Sequence, residues 1–230
     1  MISLVPVEGL PEVAPGDNLA ELIAGAAALE RRDVVVVTQK IVSKAEGRLV
    51  PIDPDDPDAR LKLVYGESAR VLRERDGLVI SETRHGFVCA NAGVDLSNVK
   101  GGQAALLPVD PDRSARRIRD ALRARTGLEL GVVISDTFGR AWRNGLTDVA
   151  IGCAGIAAVV DLRGTKDALG RELAATEICV ADEIAAAAEL AKGKSSGVPV
   201  VIVRGLSPSW FRESSVRSEI VRPYGLDLFR

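Results

Sequence analysis

The run Asp33-Val34-Val35-Val36-Val37-Thr38 constrains the fold more than any other segment. Four consecutive valines are too few and too β-branched for a helix, so they predict a buried strand. Met1 to Val7, Leu78 to Glu82, Phe87 to Ala90, Leu130 to Ser135, Asp148 to Gly152, Ala157 to Leu162 and Val198 to Val203 read as further strands. Helices are expected from the cap Asp17 through Leu29, and over Ala59 to Arg75, closed by Asp76-Gly77. Another opens with Pro111 in its first turn and ends before Gly127, and Asp182 caps one reaching about Leu190. These elements keep no βαβ rhythm, and several neighbouring strands are joined by turns short enough to force antiparallel pairing. The fold class expected is α+β: mixed, largely antiparallel sheets with flanking helices, not a Rossmann or P-loop fold. The 230 residues suit a single domain over 1-230, or two interleaved lobes.

Composition narrows the function classes. Aromatics are only 3% against 47% hydrophobic, so the core has to be built from Ala, Val, Leu and Ile. The formal net charge of -2 is too near neutral to advertise a nucleic acid or an anionic membrane as partner. Attraction for a phosphate-rich ligand must then come from locally placed Lys and Arg. The opening residues lack a basic n-region and a long apolar run, and no segment is apolar enough to span a bilayer. Cys89, Cys153 and Cys179 are widely spaced, which reads as free thiols and a cytoplasmic location. With His85 as the sole histidine, His-based triads and zinc sites are nearly excluded.

Several polar, glycine-containing stretches flank the predicted strands, and each also has a purely structural reading as a turn or strand exit. Gly9-Leu10-Pro11-Glu12 is the first. Thr38 to Gly47 sets Lys40 and Lys44 four residues apart on one helical face, where they can grip adjacent phosphates. Lys44 is expected to be exposed there. Asn91 to Asn98 offers the Asp95 carboxylate for a cation and the Asn98 amide for a base or ribose. Ser135 to Gly145 sets Asp136 beside Thr137 at a strand's end, the hard oxygen ligands that Mg2+ or Mn2+ prefers. Arg140 and Arg143 close behind could bind phosphate or carboxylate in bidentate fashion. The segment Lys192-Gly193-Lys194-Ser195-Ser196-Gly197-Val198-Pro199 fails as a P-loop: Ala188 stands where a Walker motif needs Gly, and a helix precedes it. It remains a flexible basic loop.

Taken together and in this order, these stretches resemble the coenzyme F420-0:L-glutamate ligase family. The match runs from VPVEGLP through VVVTQKIVSKAEGR, HGFVCANAGVDLSNV, LLPVDPDRSARRIRDAL and ISDTFGRAWRNGLTDVAIG to GVPVVIVRG. The chain looks like the standalone form, without the nitroreductase-like extension of some members. The resemblance implies an α+β fold, an intertwined homodimer, and a GTP-driven reaction through an acyl phosphate with F420-0 and L-glutamate as substrates. It also implies a divalent metal, Mg2+ or Mn2+, with K+ as an optional addition. Asp95, Asp136 and Thr137 look like the metal ligands. Leu10, Pro11, Glu12, Gln39, Lys40, Lys44 and Asn98 look like the nucleotide site, with Lys192, Gly193, Lys194, Ser195, Ser196, Gly197, Val198 and Pro199 closing over it. Lys44, Arg140 and Arg143 are the expected catalytic residues.

Two rival readings differ in kind. One is another metal- and nucleotide-dependent carboxylate–amine ligase on the same scaffold. The other is an RNA-binding module using Arg113, Arg116, Arg117, Arg119, Arg123 and Arg125. Those arginines scatter around their helix, while Ala115, Ile118 and Leu122 form its apolar stripe and no aromatic side chain stands ready to stack bases.

Overall fold

The computed structural model describes residues 1–53, 55–97, 101–194 and 196–228. The chain opens with β1 (Ser3–Pro6), α1 (Leu19–Ala26), β2 (Val34–Thr38) and α2 (Gln39–Ala45). Next come β3 (Leu49–Pro51), α3 (Ala59–Glu67), β4 (Ser68–Arg75), β5 (Leu78–Thr83), β6 (Val88–Ala90) and β7 (Gln103–Ala105). Helix α4 (Pro111–Thr126) leads into the long hairpin of β8 (Gly131–Arg140) and β9 (Arg143–Ala154). The short β10 (Val160–Asp161) and β11 (Glu177–Ile178) precede α5 (Val180–Lys192), β12 (Val200–Arg204) and α6 (Val216–Glu219).

The valine run is the centre of the main sheet, whose order is β1-β12-β2-β8-β9. Only β2 and β8 are parallel in it; the other neighbours run antiparallel. Alternation along β2 explains why all four valines are apolar. Val35 and Val37 face α1 and α4 together with Val132, Ile134 and Ile202, while Val34 and Val36 face α5 together with Val133, Val201 and Val203. A strand covered on both faces loses the apolar–polar alternation of a half-solvated one. Each buried valine contributes on the order of 1.5–3 kcal/mol relative to exposure. The smaller sheets, β3-β7 and β4-β5-β6, pack with α3 around Val64, Val79, Val94 and Leu106. The α+β class is as expected.

Helix α4 is held where the sequence predicts. Asp110 accepts from the Arg113 amide at 2.9 Å, and Gly127 closes the other end with φ 71, a left-handed turn that suits glycine. Ala115, Ile118 and Leu122 are its buried stripe. The helix presses on β9 at Gly152, where an added Cβ would lie 2.4 Å from the Pro111 carbonyl. Beside it the buried Asp112 carboxylate accepts from the amides of Cys153, Val216 and Arg217 at 2.8–3.0 Å.

Other boundaries differ from expectation. Helix α1 begins after Asn18, whose side chain accepts from the Glu21 amide at 3.3 Å; Asp17 accepts from Ala14 instead, and the helix ends at Ala26. The helix expected over 59–75 stops at Glu67, and Ser68–Arg75 is β4, turned onto β5 at Asp76-Gly77. Pairing with β5 overrides the helical propensity of Leu72, Arg73 and Glu74. The stretch after Ser135 is no loop: β8 runs on to Arg140, and β9 starts back at Arg143. Only Val160–Asp161 of the strand expected over 157–162 is extended pairing. Helix α5 begins at Val180, and Asp182 accepts from the Ala150 amide of β9 at 2.8 Å instead of capping. Among the described residues no helix is long and apolar enough to cross a membrane.

Candidate functional site

Strands β2 and β8 are parallel with Thr38 level with Ser135, so both chains leave the sheet at the same end. Helix α2 follows at once on one side and the β8–β9 hairpin continues on the other. Between them, the loop after β6 and the end of α5 enclose a cavity of about 630 Å3. Four lysines and five carboxyl groups line it among the described residues: Lys40, Lys44, Lys192 and Lys194 with Glu12, Asp95, Asp136, Asp148 and Glu189.

Helix α2 sets Lys40 and Lys44 one turn apart, as the spacing predicts. Lys40 Nζ lies 2.8 Å from Asp95 Oδ2 and donates to the Ser97 carbonyl at 2.6 Å and hydroxyl at 2.8 Å. Lys44 corrects an expectation. It is buried in the last turn of α2, and its ammonium lies 2.5 Å from Glu12 Oε1.

Asp95 is fixed twice over. Its backbone exchanges hydrogen bonds with Ala105 at 3.0 and 2.8 Å, and its carboxylate accepts from the Ser97 amide at 2.7 Å in an Asx turn. Burial would raise its carboxyl, but Lys40 and Ser97 outweigh that and hold it below its ordinary value. Asp136 sits on β8 just past a break in the β8–β9 register between Ile134 and Ser135. Such a bulge re-aims the side chains that follow it. Burial, and behind it the nearby carboxylates of Asp95 and Asp148, push Asp136 up to about 7.

Thr137 stands opposite Asp148 on β9 and donates its hydroxyl proton to Asp148 Oδ1 at 2.6 Å. Its lone pairs are thereby left for another partner, and Lys194 Nζ contacts that oxygen. Asp148 is buried and also accepts from Ser135 Oγ at 2.9 Å and from Lys192 Nζ at 2.6 Å. Although burial opposes it, Lys192 holds the Asp148 carboxyl below its ordinary value. Lys192 Nζ further lies 3.2 Å from Glu189 Oε2, and Lys194 Nζ lies 3.0 Å from Glu189 Oε1.

Of the predicted site residues, the structure brings together Glu12, Lys40, Lys44, Asp95, Asp136, Thr137, Lys192, Gly193, Lys194, Gly197, Val198 and Pro199. Lys192 belongs to the last turn of α5, so the basic loop begins one residue later than expected. Asn98 and Ser195 lie outside the described residues. Gln39 is not a cavity residue: it is buried, and its amide donates to Ser43 Oγ at 2.7 Å and the Leu106 carbonyl at 3.2 Å. Leu10 packs on the main core, Pro11 is exposed, and neither lines the cavity. Ser196 bonds to the Lys192 carbonyl and shapes the turn.

Arg140 and Arg143 are exposed and pair at the hairpin tip, outside the cavity lining. Arg140 lies three residue steps along the strand from Thr137, about 10 Å away. Asp148 and Glu189 are the residues that sequence reasoning missed. A lone acid among the apolar residues of a predicted strand was the available signal for Asp148; Glu189 on an Ala-rich helix offered none.

The oxygen set suits a hard divalent cation. Burial first, and the Asp95 and Asp148 carboxylates after it, raise Asp136 to about 7, and a cation beside it would relieve both. Among the described residues no group of three or more His, Cys, Asp or Glu side chains is placed to hold a metal ion by itself. An open site of one or two carboxylates and a hydroxyl, completed by phosphate oxygens and water, is the arrangement Mg2+ favours.

Sheet, cavity and charge pattern describe a built pocket for a small charged ligand, and comparison with known proteins gives the class, a ligase, and the family. The F420-0:Gamma-glutamyl ligase family model matches residues 9–205. The chain is 43% identical, over its whole length and 99% of the relative, to the coenzyme F420:L-glutamate ligase of Methanothermobacter thermautotrophicus. It is 44% identical, over its whole length and 97% of the relative, to the enzyme of the same name from Methanopyrus kandleri. With the Archaeoglobus fulgidus protein of that name it shares 43% identity over 90% of this chain and 88% of that one. The chain belongs to the F420-0:gamma-glutamyl ligase family.

Proposed function

We propose that this chain adds L-glutamate to coenzyme F420-0 in a GTP-driven reaction that uses Mg2+ or Mn2+. The observation that carries this reading is the meeting of ammonium groups and hard oxygens in one cavity, with Lys40, Lys44 and Lys194 beside Asp95, Asp136 and Thr137. The family description supports F420-0 as acceptor, and the names of the relatives support L-glutamate as the amino acid.

A carboxylate is a poor electrophile because its oxygen leaves badly. In the proposed reaction an oxygen of the F420-0 carboxylate attacks the γ-phosphorus of GTP, GDP leaves, and an acyl phosphate forms. The glutamate nitrogen then attacks the acyl carbon, phosphate leaves, and the amine proton passes to solvent as the amide forms. The ammonium groups of Lys40, Lys44 and Lys194 offset the charge on the phosphoryl oxygens. Asp95, Asp136 and Thr137 would hold the metal, which when bound supplies Lewis-acid screening of the phosphates. A second, γ-linked glutamate, an optional K+, a cytoplasmic homodimer and small molecules as the only substrates belong to the same proposal.

Incubation with GTP, Mn2+, L-glutamate and F420-0 tests it. The acceptor mass should rise by one or more glutamyl units as GDP and phosphate appear. An unchanged acceptor mass with all four components present overturns the reading. Comparable specificity constants for ATP and GTP would overturn the choice of nucleotide alone.

A further inference from the structure

We propose that the lysines of the cavity are exchange partners for its cation-binding oxygens, so that divalent metal and nucleotide triphosphate bind with strong positive coupling and metal alone binds weakly. This rests on the proposed function for the identity of the ligands, and on the ion pairs for everything else.

Lys40 Nζ sits among three oxygens, Asp95 Oδ2 at 2.8 Å and the Ser97 carbonyl and hydroxyl at 2.6 and 2.8 Å. Lys194 Nζ gathers another set: it contacts Thr137 Oγ1 and lies 3.0 Å from Glu189 Oε1 and 3.4 Å from Asp148 Oδ1. Each ammonium is thus held by oxygens that a divalent cation contests. Lys44 is held in the same way by Glu12 at 2.5 Å.

A cation that takes Asp95 alone displaces the Lys40 ammonium into a partly enclosed cavity beside a new positive charge. A triphosphate that takes the lysines alone faces carboxylates stripped of their partners. When both arrive, the phosphates accept the ammonium groups and the metal accepts the carboxylates, so every broken pair is replaced. Lys192 does not take part in this exchange, because Asp148 and Glu189 hold it from both sides in the interior. Lys194 keeps its contacts at the open side of the cavity, its side chain being 60% exposed, so a phosphate can reach its ammonium.

The test is Mn2+ affinity read from the electron paramagnetic resonance signal of free Mn2+, alone and with a non-hydrolysable GTP analogue. The values are corrected for Mn2+ held by the analogue in solution. Lys40→Met should bind Mn2+ alone about tenfold more tightly than wild type, within the usual range for coupled sites, and lose a similar factor of the gain from nucleotide. Lys40→Arg should keep the wild-type pattern. Lys194→Met, at an exposed position, should tighten Mn2+ in the same direction and stands as a second reading if Lys40→Met folds poorly. Equal Mn2+ affinity without nucleotide in wild type and both Met variants overturns the inference, even where GTP turnover is intact. Wild type that binds neither Mn2+ nor the analogue overturns this inference and the proposed function together.

Discussion

Lys192 Nζ lies 2.6 Å from Asp148 Oδ2, and the two side chains keep only 6% and 2% of their exposure. The pair ties the end of α5 to β9 behind the Thr137 hydroxyl. Removing one partner strands a buried charge. Asp148→Asn or Lys192→Met alone should cost about 3–5 kcal/mol of stability, measured by urea unfolding. The double variant should recover much of that loss, and additive losses would show that the two charges are not coupled.

Asp136→Asn should abolish turnover while leaving the fold intact. The wild-type carboxyl is raised to about 7, above its unfolded value, so the folded protein binds the extra proton between about pH 4 and 7. Its stabilising contribution is therefore present at low pH and lost as pH rises through 7. Asn removes this dependence. Metal-free Asp136→Asn should gain on wild type in unfolding free energy from pH 5 to pH 8, and a constant difference would refute the assignment.

Lys44→Ala should lower kcat/KM for nucleotide use by about 2–4 kcal/mol of transition-state stabilisation. Its partner Glu12 is largely exposed, so the ion pair itself contributes little, about 0.2–1 kcal/mol. Unchanged kcat/KM with an unchanged melting temperature would remove Lys44 from the site.

His85 sets a limit at the acidic side. Its Nε2 lies 2.9 Å from the Pro108 carbonyl, its ring stacks on Phe87, and Nδ1 is buried without a partner among the described residues. Burial lowers its pKa, with Arg48 adding slightly and Pro108 and Glu67 opposing. The unfolded chain therefore takes up the proton first, and stability should fall as pH drops below about 6.5. Replacing His85 with Gln should flatten that part of the stability profile.

The sequence by itself determined the elements whose cause is local. The valine run, the Pro111 start and Gly127 close of α4, and the lysine spacing on α2 follow from branching, end signals and helical period, which need only neighbours in the chain. It also singled out Asp136 and Thr137 as hard oxygens at the end of an apolar strand and Asp95 as a loop carboxylate, with their grouping as metal ligands implied by the family resemblance. What it could not supply was register and reach. Whether Ser68–Arg75 became helix or strand depended on β5, and the removal of Arg140 and Arg143 from the cavity depended on how far the β8–β9 hairpin continues. The burial of Lys44 and the place of Asp148 under Thr137 were likewise decided in the tertiary structure. A strand side chain faces the site or turns away according to a single-residue shift in pairing, and that shift is set by contacts between segments distant in the chain.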